Sequence, residues 1–190
     1  RFAEKTYDEF ISALATLKGQ GATSYIIDLR ENSGGYMDQA IKMANEFLSR
    51  GDMIVYSEGR AYPRYEAKAN GSGRFQREKF VVLIDNFSAS ASEILSGALQ
   101  DRDRATIVGV QTYGKGVVQY VLPVGEEGAG MQLTVAQYYT PNGNEVHKIG
   151  ITPDVVVEMP EEQKSMFFEI GDLTDVQLGE AYRVALDMLK

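Results

Sequence analysis

The chain has no cysteine and one histidine. Without thiols there is no disulfide, no thiolate zinc site and no cysteine nucleophile. Any Ser-His-Asp triad would have to use His147, which sits late in the chain in the polar stretch Asn144-Glu145-Val146-His147-Lys148. That stretch reads as a hairpin edge, and nothing in it singles the imidazole out. A Gly-x-Ser-x-Gly elbow is also missing. Basic residues are in deficit, 19 against 27 acidic, for a formal charge of −8. An acidic surface repels a phosphate backbone, so nucleic acid is not an expected partner. The densest basic stretch, Arg74-Phe75-Gln76-Arg77-Glu78-Lys79, is short and interrupted. Long apolar runs are lacking as well. The longest aliphatic one is Val81-Val82-Leu83-Ile84, far below the ~20 residues of a membrane helix. No signal peptide is visible, but the chain opens at Arg1, so no compartment follows from that.

What is present suits a globular domain. The 190 residues are 44% apolar and 24% charged. A chain of this length buries roughly 70% of its unfolded surface, enough for a core without staples. Residues 7–18 place Phe10, Ile11, Leu14 and Leu17 at helical spacing, and Gly19 and Gly21 end the helix. Tyr25 to Leu29 reads as a buried strand. A second amphipathic helix is expected over 36–49, with Met37, Ile41, Ala44, Phe47 and Leu48 on one stripe. Met53 to Tyr56 is a strand, and 60–79 an exposed polar hairpin or arm. Phe80 to Ile84 is a continuous apolar strand, Ser90 to Leu99 a helix, and Thr106 to Val110 a strand. Val117 to Val124 and Met131 to Tyr139 then alternate like antiparallel strands joined by a turn at 125–130. Residues 172–190 close the chain as a helix after a linker at Pro160-Glu161-Glu162. Strands alternating with helices imply right-handed βαβ units and a largely parallel sheet. In such sheets functional groups gather where strands end. Two exits carry suitable residues, Asp28 to Gly35 and Asn86 to Glu93.

Ser90 and Glu93 have the spacing of a capping box. A helix N-terminus also offers free N–H groups to an oxyanion. One hydroxyl cannot cap and attack in the same geometry, and both readings stay open, with Ser88 or Ser92 as cap or bystander. With His147 unpromising, a lysine is the remaining base, since burial can bring an ammonium towards neutrality. Lys115, flanked by Gly114 and Gly116, is the candidate, against the alternative of a solvated turn lysine. Gly109-Val110-Gln111-Thr112-Tyr113-Gly114-Lys115 also matches most of a phosphate-binding loop. Gly116 stands where that loop needs Ser or Thr, however, and the following residues read as a strand rather than a helix. Asp101-Arg102-Asp103-Arg104 interleaves its charges and reads as a solvated helix end, not a metal site. Gly34-Gly35, taken alone, reads as a tight strand-to-helix turn.

Four ordered blocks resemble the carboxyl-terminal processing peptidases, or tail-specific proteases. They are Ile26 to Gly35 (with Ser33 where the family has proline), Ser88-Ala89-Ser90-Ala91-Ser92-Glu93-Ile94, Gly109 to Gln119 (with Tyr113 for phenylalanine), and Gly150-Ile151-Thr152-Pro153-Asp154. The resemblance implies an α/β, crotonase-like βαβ core with additional antiparallel strands and a C-terminal helix. It implies a Ser-Lys dyad of nucleophile Ser90 and base Lys115, with Gln119 supporting the lysine. The oxyanion hole would use the backbone N–H of Ala91 and of Gly34 or Gly35. In an ideal strand Lys115 and Gln119 would stand about 13 Å apart, so the chain near Gly116 must bend. No cofactor or metal is implied. Substrates are expected to be proteins with exposed or unstructured C-termini, in an extracytoplasmic setting such as a bacterial periplasm or cell envelope. The expected division is a protease core over 1–160 and a helical extension over 161–190 packed on it. Nothing in the chain reads as a PDZ domain, so such a domain or an adaptor is expected from outside it. The oligomeric state is not implied. The rival expectation is a non-catalytic ligand- or peptide-binding module on the same scaffold.

Overall fold

A computed structural model describes residues 1–125 and 128–190. The turn expected at 125–130 thus falls partly outside the described residues, at Glu126 and Glu127. The elements run α1 (Thr6–Gly19), β1 (Ser24–Asp28), α2 (Met37–Asn45), β2 (Met53–Gly59), β3 (Tyr62–Lys68), β4 (Lys79–Ile84), α3 (Ala91–Asp101), β5 (Ala105–Gly109), β6 (Val117–Val124), β7 (Ala129–Tyr139), β8 (Val155–Val156) and α4 (Val176–Asp187). They build the α/β architecture expected from the sequence, in two sheets. One is parallel in the order β1-β4-β5-β8, and the other is antiparallel in the order β3-β2-β7-β6.

The central strand β4 is apolar on both faces because both faces are covered. Phe80, Val82 and Ile84 join a core with residues of α1, α2 and α3, while Val81 and Leu83 meet Ala181 and Ala185 of α4. Phe80 packs edge-on to Phe47 (4.4 Å between centroids) and stacks on Tyr25 (5.1 Å). Each such buried ring contributes about 1.5–3 kcal/mol. The helix α3 is buried from Ala91 to Leu99, with neighbours in both sheets and in α2. Small residues make that possible. A Cβ on Gly97 would sit 3.0 Å from Ile151 and 3.1 Å from Thr140.

Several expectations need correction. The strand at 53–56 is longer and leaves the parallel sheet to pair with β3 and β7. It reaches β3 through a two-residue turn, whereas a parallel neighbour needs a long crossover. The stretch 60–79 is not wholly exposed: β3 pairs with β2, and Phe75 is buried edge-on to Tyr25. The second helix stops at Asn45, and Phe47 and Leu48 are buried from the turn beyond it. Leu17 faces solvent. Arg102 and Arg104 are not a solvated helix end, because their guanidinium groups reach the Met53, Phe47, Phe75 and Glu78 carbonyls. The two-residue β8 was too short to show a pattern. The Asp175 N-cap of α4 also bonds Arg30, which follows β1 (2.8 Å). Among the described residues no helix is long and apolar enough to cross a membrane.

Candidate active site

Because β1 and β4 are parallel neighbours, their carboxyl ends leave the same sheet edge side by side. The two exit loops are stitched together. Ser88 Oγ donates to the Leu29 carbonyl (2.8 Å), the Ala89 N–H to the Asn32 carbonyl (3.1 Å), and Ser92 Oγ to the same Asn32 carbonyl (2.8 Å). Asp85 accepts the N–H groups of Glu31, Phe87 and Ser88. Two of the three clustered serines therefore hold loops together.

Ser90 differs. Its backbone lies at φ 57°, ψ −115°, a sparsely populated region for a residue with a Cβ. It stands immediately before α3 and lines a cleft. Its side chain lies near the Glu93 N–H in the loose arrangement of a capping box but makes no cap hydrogen bond. That N–H donates instead to the Ser90 carbonyl oxygen (2.9 Å). The other half of the box does form, with the Ser90 N–H donating to Glu93 Oε2 at 2.7 Å.

Glu93 does more than cap. It is fully buried, and four donors converge on its carboxyl group. These are the N–H groups of Ser90 (2.7 Å), Gly114 (2.7 Å) and Lys115 (2.9 Å), and the Thr112 hydroxyl (2.6 Å). Two oxygens that only accept show the bonding pattern of a carboxylate. Thr112 Oγ1 in turn accepts the Ile151 N–H (2.7 Å), so the 150–154 block is tied to the same point. Tyr138, buried on β7, adds its hydroxyl between the Lys115 carbonyl (2.6 Å) and the Ser90 carbonyl (3.1 Å).

These bonds bring the loop before β6 against the N-terminus of α3. Lys115 and Ser90 line one cleft of about 750 Å³, walled by Phe2, Met37, Ile94, Val117, Val118 and Val121. Among the described residues the Lys115 ammonium has no hydrogen-bond or ion-pair partner. A second hollow of about 580 Å³, lined by Phe87 and Tyr113 among others, shares Lys115 with the first.

The two glycines separate by their N–H groups. The Gly34 N–H donates to Asn32 Oδ1 (3.0 Å), whereas among the described residues the Gly35 and Ala91 N–H groups have no acceptor. Gly35 also lines the cleft. Both glycines have positive φ, and Gly34 sits so close to the α3 terminus that a Cβ would lie 2.5 Å from the Ala89 carbonyl oxygen. Neither is merely a turn residue.

Gln119 lines the cleft too. The chain is irregular from Gln111 to Gly116, and the β6 register shifts between Val118 and Gln119, which supplies the bend. The Gln119 amide nonetheless points across to β7, bonding Thr134 Oγ1 (3.2 Å) and Gln132 (2.9 Å) rather than Lys115.

The alternatives lose support. The Gly114 and Lys115 N–H groups both end on a carboxylate, and β6 follows them, so no helix terminus or free amides await a phosphate. His147 is placed by its backbone against Gly116, with Nδ1 buried and without a partner. It does not line the cleft with Ser90. Glu93 was legible only as half of a capping box, and Tyr138 carried no signal beyond strand alternation.

The chain is similar to known proteases. The family model described as peptidase family S41 matches residues 1–157. A carboxy-terminal-processing protease of Bartonella bacilliformis is 45% identical over 189 residues, covering 95% of this chain and 41% of that protein. A carboxyl-terminal-processing protease of Synechocystis sp. is 44% identical, covering 100% of this chain and 42% of that protein. The solved structure of a photosystem II D1 C-terminal processing protease superposes with a TM-score of 0.76 at 35% identity, over 83% of this chain and 40% of that one. The chain thus spans about two fifths of the length of the relatives it matches.

Proposed function

The chain belongs to peptidase family S41, and on that premise we propose that it is the catalytic core of a serine endopeptidase working through a Ser90–Lys115 dyad. One observation carries this reading. Among the described residues Ser90 is the clustered serine whose hydroxyl makes no hydrogen bond to another loop, and it lines one cleft with Lys115, whose ammonium has no partner there.

The proposed chemistry is acyl transfer. Lys115 Nζ, in its neutral form, takes the Ser90 Oγ proton as Oγ bonds to the substrate carbonyl carbon. The carbonyl oxygen gains negative charge, and the unpaired N–H groups of Gly35 and Ala91 are the donors that would receive it. When the C–N bond breaks, the lysine ammonium gives its proton to the departing amine. Water then attacks the ester, loses a proton to Lys115, and Ser90 recovers its own as the acid leaves. The Gly34 N–H, held by Asn32, is not the donor in this scheme. Gln119 would support Lys115 once substrate draws its amide from Thr134 and Gln132.

The apolar cleft wall suits extended chains with apolar side chains. Together with the names of the relatives, it supports substrates with exposed or unstructured C-termini. Every group of the dyad lies within residues 1–160, which we take as the protease core, with α4 as its helical support. Recognition of a substrate tail by a PDZ domain or adaptor outside this chain, and an extracytoplasmic setting, belong to the same proposal through kinship alone. The test is cleavage of casein by the chain, by Ser90→Ala and by Lys115→Ala, at matched folding. Cleavage lost in both variants supports the dyad. Cleavage that survives Ser90→Ala rules Ser90 out. A folded chain that binds peptide without cutting it is the binding module instead.

A further inference from the structure

Glu93 and Tyr138 grip the same two residues from opposite ends. One carboxylate oxygen, Glu93 Oε2, accepts the N–H of Ser90 and the N–H of Lys115. One phenol, Tyr138, stands at the carbonyl oxygens of Lys115 and Ser90. The two gripped residues lie on different segments, Ser90 just before α3 and Lys115 just before β6. We propose that Glu93 and Tyr138 are positioning residues that set the separation and orientation of the Ser90 nucleophile and the Lys115 base. The inference rests on the Ser-Lys reading above.

A cap for α3 would need only the bond to the Ser90 N–H. Three of the four bonds to Glu93 go instead to the segment Thr112–Lys115. That segment lies outside any strand ladder. Backbone bonds tie it to Ile151, Ser88 and Lys148, and of its ties those to Glu93 are the ones that join it to the first turn of α3. A fully buried carboxylate is costly unless its acceptors are filled, and here they are filled by both halves of the site. Tyr138 adds a backbone tie, its own N–H donating to the Gly116 carbonyl (3.0 Å). Burial, with the charge of Glu93 second, pushes the Tyr138 phenol well above its ordinary pKa. It therefore stays a donor at any working pH.

Two substitutions separate positioning from packing. Tyr138→Phe keeps the ring in the core and removes only the hydroxyl. Glu93→Gln keeps the shape but can turn an NH₂ group towards the Ser90 and Lys115 amides. Three quantities are read on the chain: kcat and KM on a fluorogenic peptide, the pH–rate profile, and hydrogen exchange at the Ser90, Gly114 and Lys115 amides. For Tyr138→Phe, kcat should fall about 10- to 100-fold, since a misplacement near 1 Å is enough for that. KM should stay within about twofold, because substrate binding is not touched. The pH–rate profile should move, which a packing defect would not cause. For Glu93→Gln the three amides should exchange about tenfold faster or more. An unchanged kcat in Tyr138→Phe, or a loss matching only the unfolded fraction, overturns the proposal. If Glu93→Gln does not fold, Tyr138→Phe and exchange in the unsubstituted chain still decide. A folded chain that cleaves nothing defeats the protease reading. Slow exchange at the three amides would even then uphold the clamp, and fast exchange would refute it.

Discussion

Replacing Gly34 with alanine tests whether close approach of the two exit loops is a condition of this site. Gly34 has φ +92°, and an added Cβ would lie 2.5 Å from the Ala89 carbonyl oxygen, 2.8 Å from the Ala91 nitrogen and 2.8 Å from Ser90 Cβ. All three neighbours belong to the Ala89–Ala91 segment, and two are backbone atoms that cannot rotate aside. The backbone conformation alone costs roughly 1–2 kcal/mol for a residue with a Cβ. Crowding in a packed site adds roughly 1–3 kcal/mol. A loss of about 3 kcal/mol lowers the melting temperature by roughly 6–12 °C in a domain of this size. The strain is relieved only by moving the Asn32–Gly35 loop away from Ser90, which also withdraws the Gly35 N–H. Activity per folded molecule should therefore fall about 100-fold. The assay is peptide cleavage corrected for the folded fraction, beside a thermal melt. The control is Gly19→Ala at the end of α1, where nothing lies within 4 Å of the new methyl. There the same change should stabilise by about 0.5–1 kcal/mol and leave activity alone. Gly34→Ala with unchanged melting and cleavage would refute the reasoning.

Ser88→Ala removes the 2.8 Å donor of the Leu29 carbonyl, which keeps the Asn32 N–H (3.1 Å), so stability should fall by about 0.5–1.5 kcal/mol. Cleavage per folded molecule should persist, and a folded but inactive Ser88→Ala would mean that the nucleophile has been misassigned. At acid pH the carboxyl of Glu46 matters. Burial alone would raise its pKa, but the hydrogen bonds from Tyr7 (2.6 Å) and the Arg74 backbone (2.9 Å), with the Arg74 guanidinium, outweigh that and lower it. A carboxyl depressed in the folded state adds stability above its unfolded pKa and loses it as pH falls through the folded value. The loss should thus appear below the ordinary carboxylate value of about 4.3. In Tyr7→Phe, urea midpoints measured from pH 7 down to pH 3 should show a smaller acid loss. Equal losses in both proteins would count against the assignment.

The local pattern of this chain was sufficient for much of the fold. The apolar run Phe80–Ile84 read as a continuous strand, as it is, and the alternation of helices and strands over the first 110 residues pointed to a parallel sheet. The four motif blocks singled out Ser90 and Lys115 as the proposed dyad, since residue types at fixed spacing are a property of the sequence. What remained undecided concerned partners distant along the chain. Whether β2 joined the parallel or the antiparallel sheet depended on pairing with Tyr138 and Tyr139 more than 80 positions away. Which serine was free depended on where Ser88 and Ser92 found carbonyls, on a loop some 60 positions earlier. Which glycine had a spare N–H depended on the side chain of Asn32. Glu93 looked like a helix cap because a cap is a contact within four residues, which sequence spacing can encode. Its bonds to Thr112, Gly114 and Lys115 exist only because the sheet edge and the antiparallel sheet meet there, and hydrogen bonds made across the fold leave no periodicity in the chain that makes them.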